Sequence, residues 1–420
     1  MKRFSFAYHK QIQITCLFLY LFTASLNVIH AELYVSGFVD SYHAVRIKAP
    51  NDYLSSRTRL RTEAEYEADM TSWFVSSNLE HNEIVKSRSG LELREAYMDY
   101  HSDSWEFRVG RQIIIRGKAD GVQITDIISP LDMTKFLARD YDDIRMPIDA
   151  LKFRILGNSL DLELVWLPLF QAAILPSDDN PWAVKPDLPA DRDITYEEPL
   201  APEKRFNNSE FGARLSFYLS GIDFAFSGFH TWNDIPVFDQ FETTDAGGDT
   251  IITVTPKHHR LTMFGLDVSK PIGDFVFRGE VGFFIGRRFE PEVIADRLFR
   301  RNSISSLMGL DYYPGNDWSV AAQINDQFTL SYDNRIKPDE HTLLATLNIS
   351  KSFLRSTLKL SSGFYYGINL QDGFNRTSAD YALTDELHLV CGVDWFDGSE
   401  GMYAQYRDNS EFWIKCKYSF

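Results

Sequence analysis

Residues 57–70, RTRLRTEAEYEADM, place a charged residue at every second position. An α-helix turns once in about 3.6 residues, so it would scatter these charges around its whole circumference. A β-strand directs all of them to one face and the intervening residues to the other. This stretch alone leaves two interpretations open. It is the edge strand of a soluble sandwich with its charges in water, or a membrane-barrel strand with its charges facing a wet interior.

The N-terminal segment has the layout of a secretory signal peptide. A basic start is followed by an apolar core from about Ile12 to Leu26, and Ile29 and Ala31 stand at positions −3 and −1 of a cleavage site. The core is shorter than the roughly 20 residues that a membrane-spanning helix needs. We therefore expect residues 1–31 to be removed as a signal peptide, with an uncleaved anchor as the weaker alternative.

Composition narrows the class of protein. The chain carries a net charge of −16, and loss of Lys2, Arg3 and Lys10 with the signal peptide leaves −19. Such an acidic surface argues against nucleic acid as a partner. Aromatic residues make up 14 % of the chain, which is typical of the aromatic girdles of a bilayer-spanning barrel. No segment after the signal peptide has the apolar length of a transmembrane helix.

Alternating segments recur along the chain. Residues 212–219, 275–285 and 318–326 each place apolar side chains on one face and polar ones on the other, and so does the C-terminal EFWIKCKYSF, residues 411–420. Roughly 18 such segments of about ten residues are present, which is the length of a tilted transmembrane strand. A C-terminal strand ending in Phe420 is similar to the C-terminal signature of bacterial outer-membrane barrels, which the barrel assembly machinery recognises.

The links between these segments alternate between short and long, as periplasmic turns and extracellular loops do in outer-membrane barrels. Short links are predicted at 69–72, 101–104, 157–159, 220–221, 271–274, 314–317, 351–356 and 396–401. Longer links are predicted at 116–147, 168–208, 233–257, 286–303, 331–340 and 369–381. Residues 32–420 are thus predicted to form an all-β, transmembrane antiparallel β-barrel of 18 strands. Sixteen strands is the alternative, because the segment near 401–407 is short.

The charged row then faces a water-filled lumen, because charges at membrane depth must line water or pair with one another. Leu60 and Ala64, which alternate with it, face lipid. The predicted pore-lining residues are Arg57, Arg59, Arg61, Glu63, Glu65, Glu67, Arg214, Arg278 and Glu280.

The link 116–147 is predicted to fold into the barrel and narrow the pore. Loops of this length usually have a function, and its apolar residues need a surface to pack on. Its acidic residues would face the three arginines of the charged row and create a transverse field. An extracellular lid is the alternative. The residues predicted for this constriction are Arg111, Lys118, Asp120, Asp126, Asp132, Asp140, Asp142 and Asp143.

The stretch LREAYMDY (93–100), followed by EFRVGRQIIIRGKADGVQITDIISPLD (106–132), resembles a porin-like family of Gram-negative outer-membrane proteins catalogued as a domain of unknown function. SGFVDSYHAVR (36–46) and LELVWLPLF (162–170) with Pro181-Trp182 are similar to further parts of its pattern. Arg116 and Ser129 depart from it, where Trp and Asn are expected. The matching signature residues are Gly110, Arg111, Gln112, Gly117, Lys118, Ala119, Asp120, Gly121, Asp126, Pro130, Leu131 and Asp132. The resemblance implies a barrel and transport across the cell outer membrane, and it names no substrate.

These observations predict a porin-like channel for small solutes that contacts outer-membrane lipid and lipopolysaccharide and needs no cofactor. A plugged barrel that serves an export or uptake system with periplasmic partners is the alternative. An outer-membrane enzyme has the least support, since no catalytic arrangement stands out. The Pro-rich link 168–208 is predicted to be an extracellular loop, with a plain surface loop and a plug or binding platform both open.

Three further motifs are given structural interpretations. GRQIIIRGKA, residues 110–119, lacks the glycine spacing of a phosphate-binding loop. The acidic residues of link 116–147 fit no calcium-loop spacing, and His258 and His259 are adjacent, so on a strand they would point to opposite faces. No disulfide is expected between Cys391 and Cys416, because one strand is predicted to separate them by about 10 Å.

Overall fold

The computed structural model describes residues 31–119, 121–138, 141–183, 193–244, 250–293 and 297–420, with backbone only for Ala31, Tyr141 and Asp142. The predicted signal peptide lies outside the described residues except for Ala31. Within the described parts of the chain, no α-helix is long and apolar enough to cross a membrane.

The described chain is almost entirely β-structure. It contains one turn of α-helix, Tyr141–Ile144, and 3-10 turns at Lys86–Arg88, Phe206–Asn208 and Ala404–Asn409. Its strands are β1 (Ala31–Arg46), β2 (Tyr53–Ala68), β3 (Thr71–Asn82), β4 (Gly90–His101), β5 (Trp105–Gln112), β6 (Ile148–Leu156), β7 (Leu160–Leu167), β8 (Asp193–Tyr196), β9 (Glu210–Leu219), β10 (Ile222–Trp232), β11 (Val237–Thr244), β12 (Thr250–Lys257), β13 (Arg260–Ile272), β14 (Phe275–Phe289), β15 (Phe299–Tyr312), β16 (Trp318–Thr329), β17 (His341–Phe353), β18 (Leu358–Gly367), β19 (Asp372–Ala382), β20 (Leu387–Asp397) and β21 (Glu411–Ser419).

Eighteen of these strands form one closed antiparallel sheet, which confirms the predicted barrel. Each strand pairs with its neighbours in chain order, and β1 pairs with β21 to close the ring, Phe38 opposite Ser419. Strands β8, β11 and β12 leave the ring and form a small separate sheet, in which β8 runs parallel to β12. Closure satisfies the hydrogen bonds of the two edge strands, as a structure surrounded by lipid requires.

Alternation along each strand sets the two faces of the wall. On β15, Met308 and Leu310 are 62 % and 46 % exposed, whereas Leu307, just before them, and Asp311, just after them, are buried. The odd-numbered residues of β15 therefore face the interior and the even-numbered ones face outward. On β2, Arg59 and Arg61 are buried inside and ion-paired, while Leu60 lies on the outer face.

Two predicted features at the C-terminal end are wrong. Residues 369–381, predicted as a long link, contain β19, and the segment near 401–407 is a 3-10 turn within the link from β20 to β21. The glycines of FDGSEG suggested a hairpin turn. Instead the carboxylate of Asp372 accepts a hydrogen bond from the backbone N–H of Tyr403 at 2.7 Å, and this contact holds the link against the start of β19.

The same error affected the cysteines. Cys391 and Cys416 lie on adjacent strands, so the predicted separation by one intervening strand is wrong. Cys391 is opposite Ile414 and Cys416 is opposite Leu389, so the two cysteines are diagonal neighbours, and both are free thiols. Diagonal positions lie about 7–8 Å apart, beyond the usual Cα separation of a disulfide.

The register predicts where a disulfide would form. Ser419 donates its backbone N–H to Glu386 at 2.9 Å, so alternation makes Leu389–Cys416 a non-hydrogen-bonded pair with Cα atoms about 4.5 Å apart. We expect Leu389→Cys in a Cys391→Ala background to form a disulfide with Cys416, measured as loss of maleimide-labelled thiols after unfolding. The wild-type chain, as control, should keep two labelled thiols. Two labelled thiols in the oxidised variant would show that this register is wrong.

Candidate functional site

The link between β5 and β6, residues 113–147, folds into the barrel interior and contacts inward side chains of several strands. It starts where Ile113 donates its backbone N–H to Glu95 at 2.8 Å and Ile114 donates to the hydroxyl of Ser129 at 2.8 Å. From there it contacts side chains of β2, β7, β14 and β20. We call residues 113–147 the crossing link, because these strands lie on different sides of the ring.

Glu280 on β14 fixes the first part of the crossing link. Its buried carboxylate accepts backbone hydrogen bonds from Lys118 at 2.7 Å, Ala119 at 3.1 Å and Thr125 at 2.7 Å, and one from the Thr125 hydroxyl at 2.6 Å. Gly117 has φ +86°, and a Cβ there would lie 2.7 Å from the Glu280 carboxylate. The Gly-Lys-Ala sequence therefore wraps around one acidic side chain.

Arginines of the charged row hold the last part of the crossing link. Arg59 donates to Asp143 at 2.9 Å and Arg61 donates to the same carboxylate at 3.1 Å. Arg59 also pairs with Asp40 on β1 at 3.0 Å. Burial, the largest single effect, opposes ionisation of Asp143, but the charges and hydrogen bonds of Arg59, Arg61 and Arg57 together outweigh it and hold the pKa of that carboxyl well below its usual range. Asp143 is thus an anion in the barrel.

A second ion-pair group stabilises the middle of the crossing link. The carboxylate of Asp126 accepts hydrogen bonds from the backbone N–H of Arg116 at 2.8 Å and from Nε of Arg145 at 3.0 Å. Arg116 pairs with Glu163 on β7 at 2.6 Å. Burial raises the pKa of Asp126, although Arg145 acts in the opposite direction.

An aromatic cluster joins the crossing link to two other links. Phe136 stacks on Tyr406 with ring centroids 4.4 Å apart and also contacts Phe396 and Tyr403. Trp182, from the Pro-rich link 168–208, packs edge-on against Phe396 at 5.7 Å. The crossing link, the Pro-rich link and the link after β20 are thereby packed together.

Beside the crossing link lies a cavity of about 50 Å³, which we call the basic chamber. Its charged lining, counted over the described residues, contains twice as many cations as anions. The cations are Arg57, Arg59, Arg88, Arg94, Lys135, Arg145, Arg376 and Lys415, and the anions are Glu80, Glu92, Asp132 and Asp143.

The other predicted site residues have varied positions. Arg57 pairs with Asp40 at 3.2 Å, and Glu63 accepts a bond from Ser76 at 3.2 Å. Glu65 and Glu67 continue the same face of β2 toward the short-turn rim, where Glu67 is exposed. On other strands the pairs are Arg214–Asp267 at 2.8 Å, Arg278–Asp311 at 2.5 Å and Arg111–Asp149 at 3.5 Å.

Within the link, Lys118 donates its backbone N–H to Glu280, and its carbonyl oxygen accepts a hydrogen bond from Arg278 at 2.8 Å. Asp132 pairs with Arg88 at 2.6 Å. Asp120 and Asp140 lie outside the described residues, as does the side chain of Asp142.

Several residues of the site are absent from the predicted site residues. Asp40 and Glu163 are isolated acids on strands, and Phe136, Trp182 and Tyr406 come from three separate links. Alternation places Asp40 on the inner face opposite Arg59 in the β1–β2 register, which is the one clue that could have found it. Among the described residues, no group of three or more His, Cys, Asp or Glu side chains could hold a metal ion.

A protein family described as "Protein of unknown function (DUF1302)" matches residues 40–289. A search of curated proteins finds no match to the chain. Among solved structures, OccK11 (OpdR) of Pseudomonas aeruginosa is similar, with 9 % identity, 92 % of this chain and 96 % of that chain covered, and a TM-score of 0.53. OpdL of the same organism has 9 % identity, 93 % and 99 % coverage and a TM-score of 0.52.

OccK2 (OpdF) of Pseudomonas aeruginosa, solved in complex with glucuronate, has 9 % identity, 93 % and 97 % coverage and a TM-score of 0.51. At this identity the likeness concerns the fold. The barrel fold is therefore shared with these three structures.

Removing the Glu280 carboxylate tests whether it fixes the crossing link. Bonds to a charged acceptor contribute about 1.5–3 kcal/mol each, so Glu280→Ala should raise amide hydrogen exchange at Lys118, Ala119 and Thr125 by about tenfold or more. The matched control is Glu67→Gln, on the inner face but away from these amides. Unchanged exchange in a folded Glu280→Ala barrel would contradict this role.

Proposed function

The chain belongs to the family of proteins of unknown function DUF1302, and we propose that it is an outer-membrane channel that passes small anionic solutes. A closed barrel of 18 strands is wide enough to hold an aqueous channel, which supports the general class. The solute class is inferred from the charges of this chain.

The observation that carries the proposal is the lining of the basic chamber, where eight cations face four anions. Three acids just outside the lining, Asp40, Asp126 and Asp394, pair with lining arginines and offset part of this excess. Fixed charge of one sign in a narrow, low-dielectric passage attracts counter-ions and raises their local concentration. Guanidinium groups bind carboxylate and phosphate through paired hydrogen bonds. Since the whole chain is acidic, with a net charge of −16, this local excess of positive charge distinguishes the chamber from the remaining surface.

The charged row of β2 extends the route through the barrel. Its arginines stand in the half nearer the long loops, and its glutamates in the half nearer the short turns. An anion entering from the loop side would meet Arg57 and Arg59 first and then approach Glu63 and Glu65. The arginines would attract the anion and the glutamates would then repel it. This order of charges supports capture of the anion at the loop end and its release at the short-turn end.

The plugged barrel remains the second candidate function, and one observation favours it. The crossing link contacts β2, β7, β14 and β20 at once, so it occupies much of the lumen. A plugged barrel would work with periplasmic partners and conduct no steady current. The conductance of the wild-type protein distinguishes the two functions directly.

The outer-membrane location and its partners belong to the same proposal. Outward apolar residues such as Met308 and Leu310 suit contact with lipid, and lipopolysaccharide would surround the loop end. The backbone of Phe420 pairs with Gly37 on β1, with bonds of 3.0 Å and 2.9 Å, so the terminal residue takes part in closing the ring. This position supports recognition of Phe420 by the barrel assembly machinery.

Ion selectivity tests the solute class. In planar bilayers with a salt gradient, the wild-type protein should show a reversal potential on the anion-selective side. Arg94→Gln with Lys415→Gln removes two cations from the basic chamber and should lower the anion-to-cation permeability ratio several-fold. The control Arg355→Gln, in the turn between β17 and β18, should leave the ratio unchanged. Cation selectivity of the wild-type channel would refute the proposal.

Freeing the crossing link tests its role as a constriction. Deletion of residues 120–143 should raise single-channel conductance several-fold, because it removes the segment bound to Arg59 and Arg61. Asp143→Asn with Glu280→Gln keeps the chain length and weakens both attachments, so it should produce frequent transitions to a larger conductance. If both folded variants conduct as the wild type does, the link does not limit flow.

A further inference from the structure

The loop end of β14 and β15 carries a dense group of basic side chains. Five arginines line one surface depression there together with Leu298 and Phe299, and we call them the arginine patch: Arg288, Arg297, Arg300, Arg301 and Arg335. This concentration of positive charge stands on a chain of net charge −16.

The strand register brings two of these cations face to face. Arg288 is directly opposite Arg300 in the β14–β15 pair, and like charges at such positions repel. Gly286, with φ +83°, forms the bulge beneath them and leaves space for the Arg300 guanidinium. Among the described residues, Arg288, Arg297 and Arg300 have side chains with no hydrogen-bond or ion-pair partner, so no direct contact in this part of the chain relieves the repulsion.

Two members of the patch, Arg288 and Arg300, face away from the lumen, whereas Arg301 belongs to the inward row of β15. On β15 the even-numbered residues point outward, as the exposure of Met308 and Leu310 shows, and Arg300 belongs to the same row. Arg288 shares that face because it is paired with Arg300. These two guanidinium groups are therefore directed toward the surroundings of the barrel.

The height of the patch places it at the edge of the membrane. Twelve residues separate Arg300 from Tyr312 at the short-turn end of β15. At about 3.4 Å per residue and a tilt of about 40°, they rise about 30 Å along the barrel axis. The apolar band of such barrels is about 25 Å tall. Arg300 thus stands just above the apolar band, where lipid headgroups lie.

Nearby acids neutralise only part of the charge. Arg335 donates two hydrogen bonds to Asp333, at 3.0 Å and 2.9 Å, and these lower the pKa of Asp333 to about 2. One of the five positive charges is thereby balanced at neutral pH. Asp239, whose charge acts on Arg288, is itself paired with Lys257 at 2.8 Å.

We propose that the arginine patch binds the phosphate groups of a lipid headgroup in the outer leaflet. Phosphate oxygens accept paired hydrogen bonds from guanidinium groups, and a dianion between Arg288 and Arg300 would convert their repulsion into attraction. Leu298 provides an apolar contact for the adjoining part of the lipid. This inference rests on the outer-membrane location proposed above and not on the channel activity.

Native mass spectrometry of the purified, folded protein in detergent tests the proposal, with doubly phosphorylated lipid A as the probe. Arg288→Gln with Arg300→Gln should weaken binding by about tenfold or more. The matched control, Arg355→Gln with Lys359→Gln, removes two exposed cations at the opposite rim and should bind as the wild type does. Lipid A stripped of its phosphates should bind weakly to all three proteins.

Equal binding of lipid A by the wild type and the patch variant would overturn the proposal. Displacement of lipid A by inorganic phosphate at a similar concentration would also overturn it, because that result would indicate a site for free anions. Bilayer conductance of the patch variant separates this proposal from the channel. Lost lipid binding with unchanged conductance supports the patch, and it leaves the channel proposal to its own selectivity test.

Discussion

The closed ring of backbone hydrogen bonds is the constraint on which the structure depends. A strand surrounded by lipid has no water for its backbone, so every N–H and C=O of the wall must pair with a neighbour, and the β1–β21 pairing satisfies the last edge. Closure fixes alternation, because each residue then faces either the lumen or the outside. The charges of residues 57–69 therefore face the lumen, and the apolar rows of strands such as β15 face outward.

Once the charges are inside, they determine how the interior is filled. A buried charge that loses its partner destabilises a protein strongly, so each inward arginine or carboxylate must contact a counter-charge, a hydrogen-bonding group or water. The crossing link supplies such partners at two distant places: Asp143 pairs with Arg59 on β2, and backbone N–H groups bind Glu280 on β14. Ion pairs and charge-assisted hydrogen bonds thus join the barrel wall to the crossing link. In the lining of the basic chamber, cations outnumber anions.

The aromatic cluster has a different role from these ion pairs. Phe136, Trp182 and Tyr406 come from links far apart in sequence, and their packing brings three links together over one part of the barrel. Such a cluster is non-directional and holds the links as a group, whereas Glu280 and Arg59 fix individual atoms. A movement of the crossing link away from the wall would have to break both kinds of contact.

The sequence by itself determined the barrel, its 18 strands and the inward direction of the 57–69 row, because alternation is a local property of each strand and each local pattern has the same period. Tertiary structure alone decided that Glu280 accepts bonds from Lys118, that Arg116 pairs with Glu163 and that Asp40 shares Arg59 with Asp143, since these partners are separated by many residues and meet only after the ring closes. The error near 396–401 has the same origin. A glycine-rich segment has the local signal of a turn, and the distant carboxylate of Asp372 folds it into a loop.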